Sequence, residues 1–326
     1  MRLSRLEDIP LRLILKLATS IGLLTWLLVR SDIGHVLATL GKLSTPVLVS
    51  VGMLLPMMIG ISAFKWWLFV PHHRFPHLVR LNLVGVFYSI VLPGQIAGEA
   101  VKAYRLGAGR GDAEQIAASV LVDKVNGMIG LLALGILGAS LSRLGIPRSL
   151  VASFSVTLVI GLVLLYSIHI PLLRRSIENS IGFVARRWTF ARPLAERLAL
   201  FIAASTRYLA RPGLMAASVL LGIAYQLLCI AVILIIAPTF GIDLPLAEWL
   251  WVFAVVATAT LLPFSVGGLG IREGAFVAVL GLLQVPSASA LALSLTIFAT
   301  QLATAFLGGL IEFASFWERR QQPRPE

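Results

Sequence analysis

The chain has 326 residues, of which 58% are hydrophobic and 13% are charged, and it carries a formal net charge of +12. No segment is both long and polar enough to form a large soluble domain. The composition therefore predicts an all-α polytopic membrane protein with a single integral membrane domain, 1–326. Most basic residues lie between apolar spans, a pattern that orients membrane proteins, so a nucleic-acid partner is excluded.

Six apolar segments are long enough to cross the hydrocarbon core, which takes about 20 helical residues. These segments are 11–29, 47–70, 116–141, 150–170, 214–237 and 288–316. We interpret the first as a retained helix rather than a removed signal peptide. Two further regions, 81–106 and 249–284, are interrupted by proline and glycine. Their first arms would rise only about 18–21 Å at helical pitch, short of the ~30 Å core, so both are predicted to be re-entrant hairpins.

Charge placement predicts the topology. Segment 171–213 carries eight arginines against two glutamates, and the N-terminus and the tail "WERRQQPRPE" are also basic, which places all three in the cytoplasm. The arginines are Arg174, Arg175, Arg186, Arg187, Arg192, Arg197, Arg207 and Arg211. This topology requires that neither interrupted region crosses the membrane. The prediction is six full transmembrane helices plus two re-entrant hairpins that enter from opposite faces.

The two interrupted regions resemble each other in sequence, as "LPGQIAGEAVK" and "LPFSVGGLGIR". Four pairs of residues coincide at one offset of 170 positions: Leu92 and Leu262, Pro93 and Pro263, Gly98 and Gly268, and Lys102 and Arg272. Chance matching of common residues is one explanation, and an inverted repeat is the one we prefer. Such paired Gly/Pro-interrupted segments point to the binding site of a transporter. The residues expected to break the helices are Pro93, Gly94, Gly98, Pro263, Gly267, Gly268 and Gly270.

Charged residues in and near these regions are the candidate substrate-binding residues, because an ionisable side chain at membrane depth is costly unless it has a function or a partner. They are Glu99, Lys102, Arg105, Asp123, Arg272 and Glu273. The alternatives are that Lys102, Arg105 and Arg272 extend to the interface, and that Glu99 forms a structural salt bridge. We expect Asp123 to be the counter-ion of Lys102 or Arg272.

Three stretches, "LPGQIAGEAVKAYRL", "VLVDKVNGMIGLL" and "LPFSVGGLGIREGAF", resemble the signature blocks of the lysylphosphatidylglycerol synthase transmembrane-region family. The resemblance covers nearly the whole chain and implies lipid translocation across the bacterial inner membrane. Gln95 and Ala97 stand where that family often has glycine. In the enzyme branch, aminoacyl transfer belongs to a separate soluble domain, which is not expected here, so the chain is not expected to be an enzyme.

Other features give weaker expectations. Segment 171–213 has the pattern of an amphipathic helix on an anionic lipid surface, although a basic linker that fixes topology also fits. Lys65, Trp66 and Trp67 are expected in an interfacial belt, as are four more tryptophans, Trp26, Trp249, Trp251 and Trp317. The proline-broken "PHHRFPH" does not favour a metal site, and no motif for a nucleotide or another cofactor occurs.

The sequence therefore predicts a flippase-like protein that moves an anionic or zwitterionic lipid, including glycolipids of the cell envelope, between leaflets. Lys102, Arg105 and Arg272 would attract the head group, while Glu99, Asp123 and Glu273 would balance charge or relay a proton. The alternatives are a scaffold for a glycolipid or polysaccharide synthase and a membrane-embedded transferase. Besides the lipid, candidate partners are an anionic lipid surface, glycolipid-pathway enzymes and a second copy of the chain.

Overall fold

The computed structural model describes Gly34, Ala38, residues 40–92, 96–108, 112–142, 148–167, Asn179, 192–261, Ser265 and 267–321. The predicted span 11–29 lies outside these residues. Also outside them are Trp26, Pro93, Gly94, Pro263 and nearly all of 168–191. That last stretch holds four of the eight predicted cytoplasmic arginines, and of Arg192 only the backbone is described.

The described residues form ten α-helices and no strand, so the all-α prediction is confirmed for them. The helices are α1 (Thr45–Trp67), α2 (Phe75–Val91), α3 (Ile96–Gly107), α4 (Ala113–Leu141), α5 (Arg148–Ser167), α6 (Arg192–Leu209), α7 (Pro212–Ile236), α8 (Leu246–Thr260), α9 (Ile271–Leu282) and α10 (Ser287–Gln321). A short 3₁₀ turn, Ala237–Phe240, extends α7.

Four described helices are long and apolar enough to cross a membrane: α1, α4, α7 with its 3₁₀ turn, and α10. They coincide with four of the six predicted full spans. The predicted span 150–170 falls in α5, where the described apolar stretch is shorter, Ala152–Val163. Large apolar side chains such as Met53, Leu220 and Phe306 are exposed on the outer surfaces of these helices, as expected for lipid contact.

The two interrupted regions are pairs of short helices. α2 has 17 residues and α8 has 15, so each rises only about 23–26 Å at helical pitch. A break follows each of them, and the 12-residue helices α3 and α9 come next. Helix is thus interrupted within both regions, while the predicted break residues Pro93, Gly94 and Pro263 lie outside the described part of the chain.

The order of the helices repeats. A long helix, two short helices separated by a break, and a second long helix occur as α1 to α4 and again as α7 to α10. Shifting the first set by the offset of 170 residues brings each of its first residues to within five positions of its counterpart. An accidental match of four residues does not explain a repeat of four helices, so the structure supports an internal repeat.

The chain divides into two compact units made of interleaved segments. Unit 1 consists of Met1–Leu55, Leu83–Glu99 and Ile230–Glu326, and unit 2 of Pro56–Asn82 and Ala100–Cys229. In unit 1, α9 packs against both α8 and α10. In unit 2, α4 packs against both α5 and α6, and a buried apolar cluster surrounds Trp66.

Helix α6 packs its apolar side against α4 rather than exposing it. Ile202, Ala204 and Tyr208 are buried, and the Tyr208 hydroxyl donates to the Gln115 carbonyl at 3.5 Å. Burial raises the pKa of the Tyr208 phenol, which therefore keeps its proton. These side chains contact protein, and the predicted lipid-surface helix of segment 171–213 stays a prediction. The residues that carried the pattern upstream, Leu173 to Trp188, lie outside the described part of the chain.

The prediction of an interfacial tryptophan belt is wrong for most of its described members. Trp66, Trp249 and Trp251 are only 1–3% exposed, and Lys65 is 8% exposed. These side chains therefore pack inside the protein. Trp317, in contrast, is 56% exposed and fits the prediction.

Candidate functional site

The first hairpin is held together by close packing of α3 against α2. A β-carbon at Gly98 would lie 2.1 Å from both the Gly85 carbonyl oxygen and the Ser89 hydroxyl oxygen. No side chain fits in such a space, so only glycine allows α3 to fold back this closely along α2. Glu99 follows in the first turn of α3 and is half-buried.

The second hairpin turns on glycine backbone conformations. Gly267, Gly268 and Gly270 have φ values of 60°, 77° and 82°, in the left-handed region that other residues rarely adopt. Gly270 is the last residue before α9, and its N–H donates to the Glu273 carboxylate at 2.6 Å. Glu273 thus caps the helix that it belongs to.

The end of α2 lies against the second break within unit 1. A β-carbon at Gly267 would lie 3.5 Å from the Ile90 carbonyl oxygen and 3.6 Å from the Ile90 Cα. Ile90 is the penultimate residue of α2, and Gly267 belongs to the break before α9. We call the place where Ile90, Ser265 and Gly267 lie the junction. This geometry brings parts of the two interrupted regions into contact.

Arg272 is bound on several sides by unit 1. Its guanidinium donates to Glu273, to the Ser294 hydroxyl at 3.3 Å and to the Gln301 side-chain oxygen at 2.9 Å. The guanidinium also lies 4.6 Å from the ring centre of Phe298. Arg272 is 4% exposed and Glu273 is 0% exposed. The pair therefore satisfies itself within the fold, and its predicted contact with a head group stays a prediction.

Lys102 lies in unit 2 in a different setting. It is 6% exposed, donates to the Asn82 side-chain oxygen at 3.1 Å, and has its Nζ 5.3 Å from the ring centre of Trp66. The Trp66 indole N–H in turn donates to the Ser119 hydroxyl at 3.1 Å. An ammonium beside an aromatic face and an amide oxygen is suited to a polar ligand in an apolar surround.

Asp123, which lies one helical turn from Ser119 in α4, forms an ion pair with Lys65. The Lys65 Nζ lies 3.3 Å from the carboxylate and donates to the Asp123 carbonyl at 3.2 Å. Gly127 leaves room for it, since a β-carbon there would lie 3.1 Å from the Lys65 Nζ. Sequence reasoning placed Lys65 in an interfacial belt and proposed Lys102 or Arg272 as the partner of Asp123. The structure instead brings Lys65 into the polar cluster of unit 2.

Arg105, the other predicted head-group cation, lies in the last turn of α3 and is half-buried. Among the described residues, no group of three or more His, Cys, Asp and Glu side chains is placed to hold a metal ion. The structure therefore offers two candidate sites, each within one unit. One is the junction in unit 1, and the other is the cluster of Lys65, Trp66, Asn82, Lys102 and Asp123 in unit 2, which we call the lysine cluster.

Sequence reasoning missed several polar residues at these places, including Asn82, Ser119, Ser265 and Ser294. It also missed Glu312 of α10, which accepts a hydrogen bond from the Tyr88 hydroxyl at 3.1 Å. The usable signal was a lone polar residue within an apolar stretch, as in "RLNLVG" and "GLIEFAS".

Comparison with known proteins agrees with the membrane architecture. The model of the family described as "Lysylphosphatidylglycerol synthase TM region" matches residues 13–309. The match covers most of the chain, which therefore belongs to this family. The family indicates a membrane protein with a lipid-related function. No curated protein and no solved structure matches the chain.

Proposed function

We propose that this member of the lysylphosphatidylglycerol synthase transmembrane-region family moves a lipid with an anionic or zwitterionic head group between the leaflets of the bacterial inner membrane. The observation that carries the proposal is the contact of the second break, at Gly267, with the end of α2, at Ile90. Broken backbone cannot face lipid, because its freed polar groups must be satisfied by protein or by water. Broken backbone packed against the end of a second helix therefore supports a polar region within an otherwise apolar protein.

The lysine cluster supports the recognition of a head group. Lys65 and Lys102 are both more than nine-tenths buried. The Lys102 ammonium lies beside the Trp66 ring. The Lys65 ammonium binds Asp123, one helical turn from Ser119, which accepts the Trp66 indole N–H. A phosphate or carboxylate that replaced part of these contacts would meet positive charge in a region of low dielectric constant, where attraction is strong. Asp123 would then balance charge, and Arg105 would attract the lipid from the surface.

In this proposal, Arg272 and Glu273 support the second break rather than binding the lipid directly. Their mutual contacts fix the start of α9, and with it the backbone of Gly270. The lipid tails remain in the bilayer, against the exposed apolar side chains of the long helices. Each hairpin opens toward one face of the membrane, with six full spans and both termini in the cytoplasm.

The basic face of α6 gives the proposal a membrane partner. Arg197, Arg207 and Arg211 are exposed, whereas the opposite side of the helix packs on α4. We assign to this face an attraction to the anionic lipids of the cytoplasmic leaflet, each arginine adding about 1 kcal/mol near such a surface. A second copy of the chain and enzymes of glycolipid pathways are further partners that fit a membrane protein of this family.

The test is translocation by the purified protein in vesicles of phosphatidylglycerol and phosphatidylethanolamine. The fraction of a head-group-labelled lipid that an impermeant quencher reaches should rise faster with protein than without it. Lys102→Met should slow this movement at least tenfold, because it removes the buried charge. Lys42→Met is the matched control, since Lys42 is exposed, and it should leave the rate unchanged.

Two results would contradict the proposal. Turnover of an activated donor without lipid movement would indicate a transferase, and neither movement nor turnover, tested with the lipids that co-purify with the protein, would indicate a scaffold. Identification of those lipids by mass spectrometry also selects the substrate for the assay. A head group without phosphate or carboxylate would remove the assigned role of the lysine cluster.

A further inference from the structure

Ser265 lies in the second break and is 2% exposed, and its hydroxyl finds no hydrogen-bond partner in the described part of the chain. A buried hydroxyl without a partner is unfavourable, and in native structures it calls for a water, an ion or another ligand. The residue lies two positions before Gly267, which touches the backbone of Ile90. The unsatisfied group therefore lies two residues along the chain from the contact between Gly267 and Ile90.

The charges around the junction decide what kind of ligand fits. Helices α3 and α9 begin after the two breaks, and a helix N-terminus ordinarily attracts an anion. Here each of these helices carries its own acidic residue in the first turn, Glu99 and Glu273. Glu273 already accepts the Gly270 N–H at 2.6 Å and lies against Arg272. At each helix start, a carboxylate of the chain already occupies the region that an added anion would take.

The opposite helix ends point to a cation. Helices α2 and α8 end at the two breaks, and neither has a basic residue in its last turn. The last carbonyl groups of a helix have no partner within it and give its C-terminus a partial negative charge of roughly half a unit. The Ile90 carbonyl belongs to this last turn of α2 and lies in contact with the second break. The second break thus has a helix C-terminal carbonyl oxygen beside it, two residues from the Ser265 hydroxyl.

The described carboxylates of α3, α9 and α10, Glu99, Glu273 and Glu312, already have partners, and this separates monovalent from divalent cations. Ca²⁺ and Mg²⁺ sites rely on aspartate or glutamate oxygens, whereas a hydroxyl and backbone carbonyls suit a singly charged ion. Both oxygens of Glu273 are engaged, one by Gly270 and one by Arg272 and Ser294. Arg272 is turned toward α10 by its bonds to Ser294 and Gln301.

We propose that the junction binds an alkali cation, Na⁺ or K⁺, through the Ser265 hydroxyl and backbone carbonyls that include that of Ile90. Binding of the ion does not depend on the lipid. The bound ion would couple head-group movement to an ion gradient, and this role rests on the proposed function. In transporters with broken helices, unwound carbonyls and helix C-termini serve in the same way.

The test uses the full chain purified in a neutral detergent and freed of alkali ions in choline chloride. Thermal unfolding is followed while NaCl, KCl or choline chloride is added at equal ionic strength. Either NaCl or KCl should raise the unfolding temperature in a saturable way that choline chloride does not reproduce. Equilibrium dialysis with radioactive Na⁺ or Rb⁺, the latter in place of K⁺, then gives the dissociation constant directly.

Ser265→Ala should weaken this binding at least tenfold, and Ser265→Thr, which keeps the hydroxyl, should largely restore it. The matched control is Ser218→Ala, because Ser218 of α7 is 0% exposed and its hydroxyl also has no partner among the described residues, yet it lies in unit 2. This control should bind the ion as the unmodified protein does. Ser265→Gly provides a second deletion of the hydroxyl if the alanine variant does not fold.

Three results would overturn the proposal. The first is an unfolding temperature that rises as much with choline chloride as with NaCl or KCl, which would indicate that water satisfies the hydroxyl. The second is an effect that follows the anion when gluconate replaces chloride. The third is equal ion binding by the Ser265→Ala and Ser218→Ala variants. Because these are binding measurements without lipid transport, they fail or succeed separately from the translocation assay.

Discussion

The two hairpins occupy equivalent places in the internal repeat, but they are held in different ways. The first relies on the fit of Gly98 against α2, with 2.1 Å available where a β-carbon would lie. The second relies on left-handed glycines and on the buried pair of Arg272 and Glu273. The first hairpin is thus held by close packing, and the second is held by backbone conformation and an ion pair, although both have the same order of helices.

The paired cations show the same contrast. Arg272 and Lys102 coincide in the repeat, and each has an amide oxygen and an aromatic ring beside it. The guanidinium of Arg272 is planar and forked, so it binds a carboxylate, a hydroxyl and an amide at once, whereas an ammonium is a compact point charge. Arg272 is therefore the cation that stabilises the fold, which we call the framework cation. Lys102 is the better candidate to exchange its contacts for those of a ligand, and we call it the exchangeable cation.

The largest expected effect is that of Glu273→Ala, which leaves Arg272 charged and 4% exposed. Breaking a buried pair in this way costs about 3–5 kcal/mol. We expect little folded protein on size-exclusion chromatography and a much lower unfolding temperature. Asp243→Ala is the control, since Asp243 is exposed, and equal stability of the two variants would show that the pair does not hold the second hairpin.

The next effect is that of Gly98→Ala in the first hairpin. The added methyl group meets the Gly85 carbonyl, so α3 must move away from α2, and overpacking of this kind costs about 1–3 kcal/mol. The matched control is Gly52→Ala in α1, where nothing lies within 4 Å of the new carbon. Because alanine favours helix, the control should unfold at the same or a slightly higher temperature. A Gly98 variant as stable as the control would contradict the packing described for the first hairpin.

These two closures also show how far the sequence could be interpreted. Proline and glycine act on the backbone where they stand, so the positions of both breaks and the repeat were predictable. The fit of Gly98 against Gly85 was not, because it depends on how two helices pack. The glycine itself was noted as a break, whereas the structure shows that it lies inside α3 and permits close approach.

The partners of the charged residues were the least predictable part. Lys65 and Asp123 are 58 residues apart, and nothing local in the sequence selects that pair over Asp123 with Lys102. Adjacent residues do not face each other on a regular helix, yet Arg272 reaches Glu273. It does so because Glu273 folds back to cap α9 at Gly270, at the irregular start of the helix. Side-chain pairs follow from tertiary packing, which the periodicity of one chain does not encode.

The smallest expected effects compare the two amides beside the cations. Gln301 is exposed and Arg272 keeps Glu273 without it, so Gln301→Leu should cost about 0.5–1 kcal/mol and leave head-group translocation within twofold of normal. Asn82 is 7% exposed, and Asn82→Leu removes the amide oxygen that positions the Lys102 ammonium. We therefore expect the Asn82 variant to slow translocation several-fold at a similar loss of stability, measured in the same vesicles. If both variants slowed translocation equally, the division into a framework cation and an exchangeable cation would be wrong.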